Sequence, residues 1–323
     1  MMKNIAIVAG GDSSEYEVSL RSAEGIYGFI DKNRYNPYIV ILRNGKWSVN
    51  MPDGAALSID RNDFSFQSGG EKIKFDYVYI TIHGHPGENG CLQGYFDMLN
   101  MPYSSCGVLA GALTFNKFIN NQFLKSLGYR VAASIRLTKS QTPDTNHIIK
   151  KLGLPVFVKP NDSGSSFGVS KVKDASQLMP AIEKAFTEGR EVIIESFIKG
   201  TEVSCGCYKV KNKQVVLPVT EVVPDNEFFD YDAKYNGRVR EITPAHISKE
   251  LTEKVQRQTL EIYDIIDAHG IIRIDYIIPD DNQPVLLEIN TTPGMTATSF
   301  IPQQISAAGL DIKEVITEII EDR

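Results

Sequence analysis

Two apolar stretches near the C-terminus are interrupted by polar residues at every second position. They are GIIRIDYII, residues 270–278, and PVLLEIN, residues 284–290. Alternate side chains of a β-strand point to the same face of a sheet. If PDDNQP forms a turn, the two strands pair and present four polar side chains together: Arg273, Asp275, Glu288 and Asn290. The pattern therefore predicts an antiparallel hairpin with one polar face, followed by the Pro-Gly turn of TTPGMTATSF.

Three of these side chains offer oxygen atoms to a metal ion. Asp275, Glu288 and Asn290 supply carboxylate and carbonyl oxygens, which suit Mg²⁺ and not zinc. Completed by phosphate oxygens and water, this set describes a magnesium–nucleotide site. The alternative is an Arg273–Asp275 ion pair beside a solvated Glu288. Both strands show the same alternation of apolar and polar residues, and a glycine-containing turn lies next to them. These two features together favour the metal site.

A lysine and a Gly/Ser-rich loop follow another apolar strand in LPVFVKPNDSGSSFGVSKV, residues 154–172. Lys159 ends this strand, and the backbone N–H groups of the loop can approach phosphate oxygens. The loop is neither a Walker A sequence nor a G-x-G-x-x-G, which excludes P-loop and dinucleotide sites. An ordinary surface turn is the alternative, and the position of Lys159 favours a phosphate site.

The length of the chain and the order of its strand and helix patterns limit the possible architectures. Its 323 residues predict two or three domains. Strand and helix patterns alternate over the first hundred residues and predict a mostly parallel sheet with helices on its faces. From about Thr114 the pattern changes to that of a small α+β unit. We place the domains at 1–104, 105–197 and 198–323.

Composition and charge exclude several classes of partner. The formal net charge of −6 gives no electrostatic reason to expect nucleic acid or an anionic membrane. No apolar run approaches the roughly 20 residues that span a bilayer, and the N-terminus lacks a signal peptide's apolar core. Four cysteines do not suggest a disulfide scaffold at this length. We expect a cytoplasmic protein with reduced thiols, and neither nucleic acid nor membrane as a partner.

Taken in order, these motifs resemble those of the D-alanine–D-alanine ligase family, in the ATP-grasp superfamily. The resemblance runs from residue 5 to about residue 310 and includes three further stretches: GGDSSEYEVSL (10–20), HGHPGENGCLQGYFDMLNMPY (83–103) and FFDYDAKY (228–235), which resembles the family's ω-loop. It implies an ATP-grasp fold, α/β and α+β, with an N-terminal Rossmann-like domain.

For the nucleotide, the resemblance implies two Mg²⁺ (or Mn²⁺) ions, held by Asp275, Glu288 and Asn290, that bridge the phosphates of ATP. Phosphate contacts would come from Lys117, Lys159, Ser165 and Ser166. Adenine and ribose contacts would come from Glu195, Ser196, Phe197, Ile198, Glu202, Phe228 and Leu287.

For the amino-acid substrates, the resemblance implies one set of residues for each D-alanine. Glu15 would orient the first ammonium and His83 would lie near the first carboxylate. Ser299 and the Phe300 amide would hold the second carboxylate. The remaining implied residues are Arg273 and the Gly294 amide at the oxyanion, Lys234 and Tyr235 in the ω-loop, and Ser165, which would form a hydrogen-bonded set with Tyr235 and Glu15.

The implied activity is ATP-dependent ligation of two D-alanines through an acyl phosphate, for peptidoglycan precursor synthesis, in an enzyme expected to be a homodimer. One alternative is a ligase of D-alanine and D-lactate, which the resemblance associates with a His-bearing ω-loop and not with Tyr235. A second is another ATP-grasp carboxylate–amine ligase. A third is a nucleotide-binding regulatory protein that has lost catalysis; such a protein should lack a metal or activating residue, and none is missing.

Overall fold

The computed structural model describes residues 2–162, 164, 167–211, 213–224 and 239–322. Its named strands form three sheets, which follow one another along the chain. The first sheet contains β1 (Lys3–Gly10), β2 (Tyr35–Arg43), β3 (Lys46–Asn50), β4 (Ala56–Asp60), β5 (Ser65–Ser68), β6 (Glu71–Lys74) and β7 (Tyr77–Ile80). Their spatial order is β6-β5-β4-β3-β2-β1-β7.

The prediction of a mostly parallel first sheet is wrong. Only the pairs that β1 makes with β2 and β7 are parallel, and the pairs from β2 through β6 are antiparallel. Tight turns cause the difference, because Asn44 and Gly45 both have positive φ between β2 and β3. Such a two-residue turn reverses the chain directly into an antiparallel neighbour.

The middle sheet is small and antiparallel. It contains β8 (Ser134–Thr138), β9 (Val156–Pro160), β10 (Ser170–Val172) and β11 (Glu191–Ser196), in the order β10-β9-β11-β8. Asp174 caps the helical turn Ala175–Gln177, since its side chain accepts a hydrogen bond from the Ser176 N–H. Lys159 and Glu195 therefore come from neighbouring strands of one sheet.

The third sheet is also antiparallel. It contains β12 (Thr201–Val210), β13 (Lys213–Val216), β14 (Thr220–Pro224), β15 (Val239–Ile242), β16 (Ile272–Ile278) and β17 (Val285–Asn290). Five strands follow the order β15-β14-β12-β16-β17, and β13 pairs with β12. The predicted hairpin is confirmed, because Arg273 pairs with Asn290 and Asp275 pairs with Glu288.

Helices cover the sheets on several faces. They are α1 (Tyr16–Phe29), α2 (Cys91–Met98), α3 (Val108–Phe115), α4 (Lys117–Ser126), α5 (Thr145–Leu152), α6 (Leu178–Glu188), α7 (Lys249–Ile265), α8 (Phe300–Ala307) and α9 (Ile312–Glu321). Asn116 separates α3 from α4. The Asn116 Oδ1 accepts from the Ile119 N–H at 3.0 Å, so a new helix begins at Lys117.

Four hydrophobic clusters hold these layers together. One joins the first sheet to α1 and to the C-terminal helices α8 and α9. A second, rich in aromatic rings, lies among β2, β5, β7 and α2, and a third fills the middle unit. The fourth packs residues 106–131 and α7 against the third sheet. The domain boundaries at 104 and 197 stay a prediction. Among the described helices, none combines the length and hydrophobicity that a membrane crossing requires.

The cysteines provide a test of this packing. Cys91 is exposed, whereas Cys106, Cys205 and Cys207 are buried. Burial raises the pKa of the Cys205 thiol to about 12 and raises the pKa of Cys207 well above its ordinary value. Because the thiolate is the reactive form, we expect a disulfide reagent at pH 7.5 to modify Cys91 rapidly and the others only after denaturation. The release of more than one thiol equivalent before unfolding would contradict this packing.

Candidate active site

The predicted metal residues lie on one face of the third sheet. The carboxylate of Asp275 is 5 % exposed and accepts two hydrogen bonds from Arg273, Nε to Oδ1 at 2.9 Å and Nη2 to Oδ2 at 2.8 Å. The Asn290 Nδ2 donates to Oδ2 at 3.1 Å, and the Ser204 hydroxyl donates to Oδ1. The Arg273–Asp275 ion pair is therefore present. The oxygen-bearing side chains of Asp275 and Asn290 lie beside it, and the metal site stays a prediction.

The chemistry of these donors fits magnesium. Glu288 pairs with Asp275 across the hairpin, and Lys117 Nζ lies 3.9 Å from Glu288 Oε2. Among the described residues, no group of three His, Cys, Asp or Glu side chains is arranged to hold a metal. Two carboxylates and one amide carbonyl leave coordination positions for phosphate oxygens and water, as Mg²⁺ usually requires.

A buried ion pair faces this sheet from the middle unit. Lys159 and Glu195 are 8 % and 4 % exposed, and their Nζ and Oε2 atoms are 2.5 Å apart. The Asn121 Nδ2 also donates to Glu195 Oε1, at 3.0 Å. Burial alone would lower the pKa of Lys159, but the carboxylates of Glu195 and Glu288 outweigh it and raise that pKa. Lys159 is therefore a fixed positive charge near the hairpin.

A cavity of about 420 Å³ lies between the middle and third sheets. Its walls include eight of the predicted nucleotide residues: Lys117, Lys159, Glu195, Ser196, Phe197, Ile198, Glu202 and Leu287. Asp275 and Glu288 lie at the same wall. The predicted residues Ser165, Ser166 and Phe228 lie outside the described residues. An apolar slot with charged groups along one wall can accept a purine and its phosphates.

A second cavity, of about 400 Å³, adjoins the first sheet. It is lined by the predicted substrate residues Glu15, His83, Arg273, Gly294, Ser299 and Phe300, together with Glu288 and Asn290. Gly164 and Glu288 line both cavities. Lys234 and Tyr235 lie outside the described residues. The two cavities therefore meet at Glu288, one of the predicted metal residues.

One end of the second cavity is built by α1 and the loop after β7. Glu15 is buried immediately before α1. A Cβ atom at Gly164 would lie 2.7 Å from both Glu15 carboxylate oxygens, so any side chain there would require the Glu15 carboxylate to move. The His83 Nε2 lies 3.2 Å from the Ser22 hydroxyl, which fixes the imidazole against α1.

The opposite end is built by the turn before α8. Ser299 occupies the N-cap position, but its side chain makes no capping bond. Its Oγ instead accepts from the Thr296 N–H at 3.1 Å and lies 2.8 Å from the Thr296 hydroxyl. The Arg273 guanidinium carbon lies 5.2 Å from the centroid of the Phe300 ring. This end therefore offers a hydroxyl, a helix N-terminus and a nearby cation.

Sequence reasoning missed two acidic residues in this cavity. Glu88 accepts from the Gly84 N–H at 2.8 Å and from the Thr292 hydroxyl at 2.7 Å, which ties the loop after β7 to the segment after β17. The sequence feature that could have indicated Glu88 is the glutamate within HGHPGENG. Glu241 also lines the cavity, from β15.

Sequence comparison identifies the family. A family model described as the D-Ala D-Ala ligase N-terminus matches residues 4–106, and one described as the D-Ala D-Ala ligase C-terminus matches residues 123–321. The chain belongs to the D-alanine–D-alanine ligase family. The predicted family and enzyme class, a ligase, are therefore confirmed.

Individual relatives agree with this assignment. The chain is 66 % identical to a D-alanine–D-alanine ligase of Parabacteroides distasonis, covering 100 % of this chain and 98 % of the relative. It is also similar to the VanG D-Ala:D-Ser ligase of Enterococcus faecalis, with a TM-score of 0.87, 30 % identity and coverage of 99 % of both chains. D-Alanyl-alanine synthetase A of Vibrio cholerae gives a TM-score of 0.88 at 27 % identity, covering 99 % of this chain and 98 % of that chain. These structures confirm the predicted fold class.

The buried ion pair can be tested by substitution. Lys159→Met leaves Glu195 buried without its counter-charge, which costs about 3 to 5 kcal/mol of unfolding free energy. The double variant Lys159→Met/Glu195→Gln removes both charges and should recover most of that loss, as denaturant titration would measure. Both variants should bind ATP more weakly. If the single and double variants are equally stable, the pair makes no such contribution.

Proposed function

We propose that this protein joins two D-alanine molecules in an ATP-dependent reaction through an acyl phosphate, which supplies a peptidoglycan precursor. The observation that carries the proposal is the meeting of the two cavities at Glu288, beside Asp275 and Asn290. One cavity has the shape and lining for a nucleotide, and the other has carboxylate, hydroxyl and amide groups for an amino acid. Their junction is where a γ-phosphate and a substrate carboxylate would react.

Two divalent cations, Mg²⁺ or Mn²⁺, fit the oxygen set of Asp275, Glu288 and Asn290. When bound, they would neutralise phosphate charge and so reduce its repulsion of the incoming carboxylate. Lys117 and Lys159 add fixed positive charge beside the same hairpin. The apolar walls of the first cavity hold the base, with the backbone of residues 195–198 at its edge.

In the first half-reaction, the carboxylate of one D-alanine attacks the γ-phosphate of ATP and ADP leaves. Glu15 is positioned to hold the ammonium of this D-alanine, since its buried carboxylate lines the second cavity. His83, fixed against Ser22, adjoins the same end. These contacts orient the substrate carboxylate toward the junction, where proximity lowers the barrier.

In the second half-reaction, the amine of the second D-alanine attacks the acyl carbon and phosphate leaves. Arg273 and the Gly294 amide stabilise the oxyanion of the tetrahedral intermediate. Ser299 and the amide of Phe300, at the N-terminus of α8, hold the carboxylate of the acceptor. The roles of Ser165, Ser166, Phe228, Lys234 and Tyr235 stay predictions from the sequence.

The acceptor is proposed to be D-alanine. The relative that shares 66 % of its residues with this chain bears the name of a D-alanine–D-alanine ligase, whereas the D-Ala:D-Ser ligase shares only 30 %. We also propose a homodimer in the cytoplasm. The dimer is supported by Met98 and Leu109, which are 77 % and 80 % exposed on the neighbouring helices α2 and α3.

A coupled product assay tests this function. With ATP, Mg²⁺ and D-alanine, we expect phosphate release together with D-alanyl-D-alanine, detected by mass spectrometry. L-Alanine, D-lactate and D-serine are added as competing acceptors in parallel reactions. Phosphate release that does not depend on D-alanine would contradict the proposal, and a dominant ester or D-alanyl-D-serine product would reassign the acceptor.

The metal residues can be tested through Glu288. Glu288→Gln removes one negative ligand from the cation site, so we expect turnover to fall by at least about 100-fold, comparable to the loss of one electrostatic catalytic group. The matched control is Glu318→Gln, which removes an exposed carboxylate paired with Lys213. Turnover by Glu288→Gln near the wild-type rate in saturating Mg²⁺ would exclude this role.

A further inference from the structure

A carboxylate that neither half-reaction uses faces the second cavity. Glu241 lies in β15, and its register places it opposite Val222 of β14, which pairs in turn with Glu202 of β12. Glu202 pairs with Ile277, two residues from Asp275. Directly paired residues of antiparallel strands share a face. Glu241 is therefore on the same face of the third sheet as the metal residues, at its opposite edge.

A tether fixes Glu241 next to the proposed acceptor site. The Gln303 Nε2 donates to Glu241 Oε2 at 2.6 Å and to the Thr298 carbonyl oxygen at 2.7 Å. Thr298 immediately precedes Ser299, whose hydroxyl is proposed to bind the acceptor's carboxylate. The carboxylate of Glu241 is thus held against the same turn, and both residues line the same cavity.

The charge of Glu241 is only partly compensated. Burial raises its pKa, and this effect exceeds the lowering by the Gln303 hydrogen bond and by the charge of Arg273. Arg273 directs its Nε and Nη2 to Asp275. Within the part of the chain that the structure describes, Glu241 Oε1 has no hydrogen-bond partner. A half-buried carboxylate of this kind is stabilised by an incoming cation.

The other acidic side chains of this cavity have different surroundings. Glu15 lies beside Gly164, at the end of the cavity built by α1. Glu288 is one of the predicted metal residues. Glu88 accepts hydrogen bonds from Gly84 and Thr292. At the opposite end, built by the turn before α8, Glu241 is the acidic group among the described lining residues.

We propose that Glu241 binds the ammonium group of the second D-alanine and takes one of its protons before the amine attacks. This inference rests on the proposed function. With the acceptor carboxylate at Ser299 and Phe300 and its ammonium at Glu241, the site recognises both charges of a zwitterion. A 2-hydroxy acid such as D-lactate has no ammonium and would leave the Glu241 charge without a partner. Glu241 thus also selects amine over hydroxyl acceptors.

The proton balance of the step is complete. The ammonium gives one proton to the Glu241 carboxylate, and the nitrogen lone pair forms the C–N bond to the acyl carbon. The bond between that carbon and the phosphate oxygen then breaks, and the departing phosphate takes the second proton from nitrogen. Glu241 returns its proton to solvent after the dipeptide leaves. General base catalysis of this kind contributes about 10²- to 10⁴-fold.

The test compares two nucleophiles in the same variant. Glu241→Gln keeps the shape of the side chain and a hydrogen bond to Gln303, but removes the charge and the basic group. We expect dipeptide formation at subsaturating D-alanine to fall by at least about 100-fold. Hydroxylamine is small and largely uncharged at neutral pH, so its trapping of the acyl phosphate as D-alanyl hydroxamate should stay within about twofold of wild type.

Further variants separate binding from structure. Glu241→Asp keeps the charge and should recover part of the dipeptide activity, while Glu318→Gln should match wild type in both products. The apparent KM for ATP should not change in Glu241→Gln, whereas the KM for the second D-alanine should rise.

The outcomes are distinct. Equal losses of dipeptide and hydroxamate in Glu241→Gln would overturn the inference and assign Glu241 a structural role. Unchanged formation of both products would also overturn it. Failure of the wild-type protein to form either product would instead contradict the proposed function.

Discussion

The carboxylate of Asp275 is the group on which the arrangement of the site depends. It is buried, and four hydrogen bonds from Arg273, Asn290 and Ser204 compensate its desolvation. Those donors come from β12, β16 and β17, so the same bonds that stabilise the charge also lock three strands in register. A cation bound at Asp275 would compete with Arg273 for the same oxygens. In the proposed mechanism, metal binding and the orientation of Arg273 are therefore linked through the Asp275 side chain.

Each structural layer adds a different chemical property to this centre. The first sheet and α1 contribute a carboxylate and an imidazole, at Glu15 and His83. The middle unit contributes a buried lysine whose charge is maintained by Glu195. The third sheet contributes the predicted metal residues near one edge and Glu241 at the other edge of the same face. Because one hydrophobic cluster joins the first and third sheets, the distances between Glu15, His83 and the groups of the third sheet are set by packing and not by local sequence.

Much of this could be predicted from the sequence, for identifiable reasons. The hairpin was predictable because a period of two residues places Arg273 with Asp275, and Glu288 with Asn290, on one face of each strand, and a short turn joins the two strands. The antiparallel part of the first sheet departs from the expected parallel order because the turn at Asn44 and Gly45, both with positive φ, reverses the chain directly. The pairing of Lys159 with Glu195 depends on the strand order of the middle sheet, which no local pattern specifies. Glu241 was missed for the same reason, since only the pairing of β15 with β14 brings it to the cavity.

Among the described residues, Glu288 and Gly164 line both cavities, so the proposed nucleotide and amino-acid spaces adjoin each other. One continuous compound could therefore extend across both. A purine mimic in the apolar slot, joined through a phosphonate to an amino-acid portion, would satisfy the fixed cations and carboxylates of both halves together. Such a bisubstrate inhibitor would gain affinity from the proximity of its two halves, because the second half binds at a high effective concentration once the first is in place.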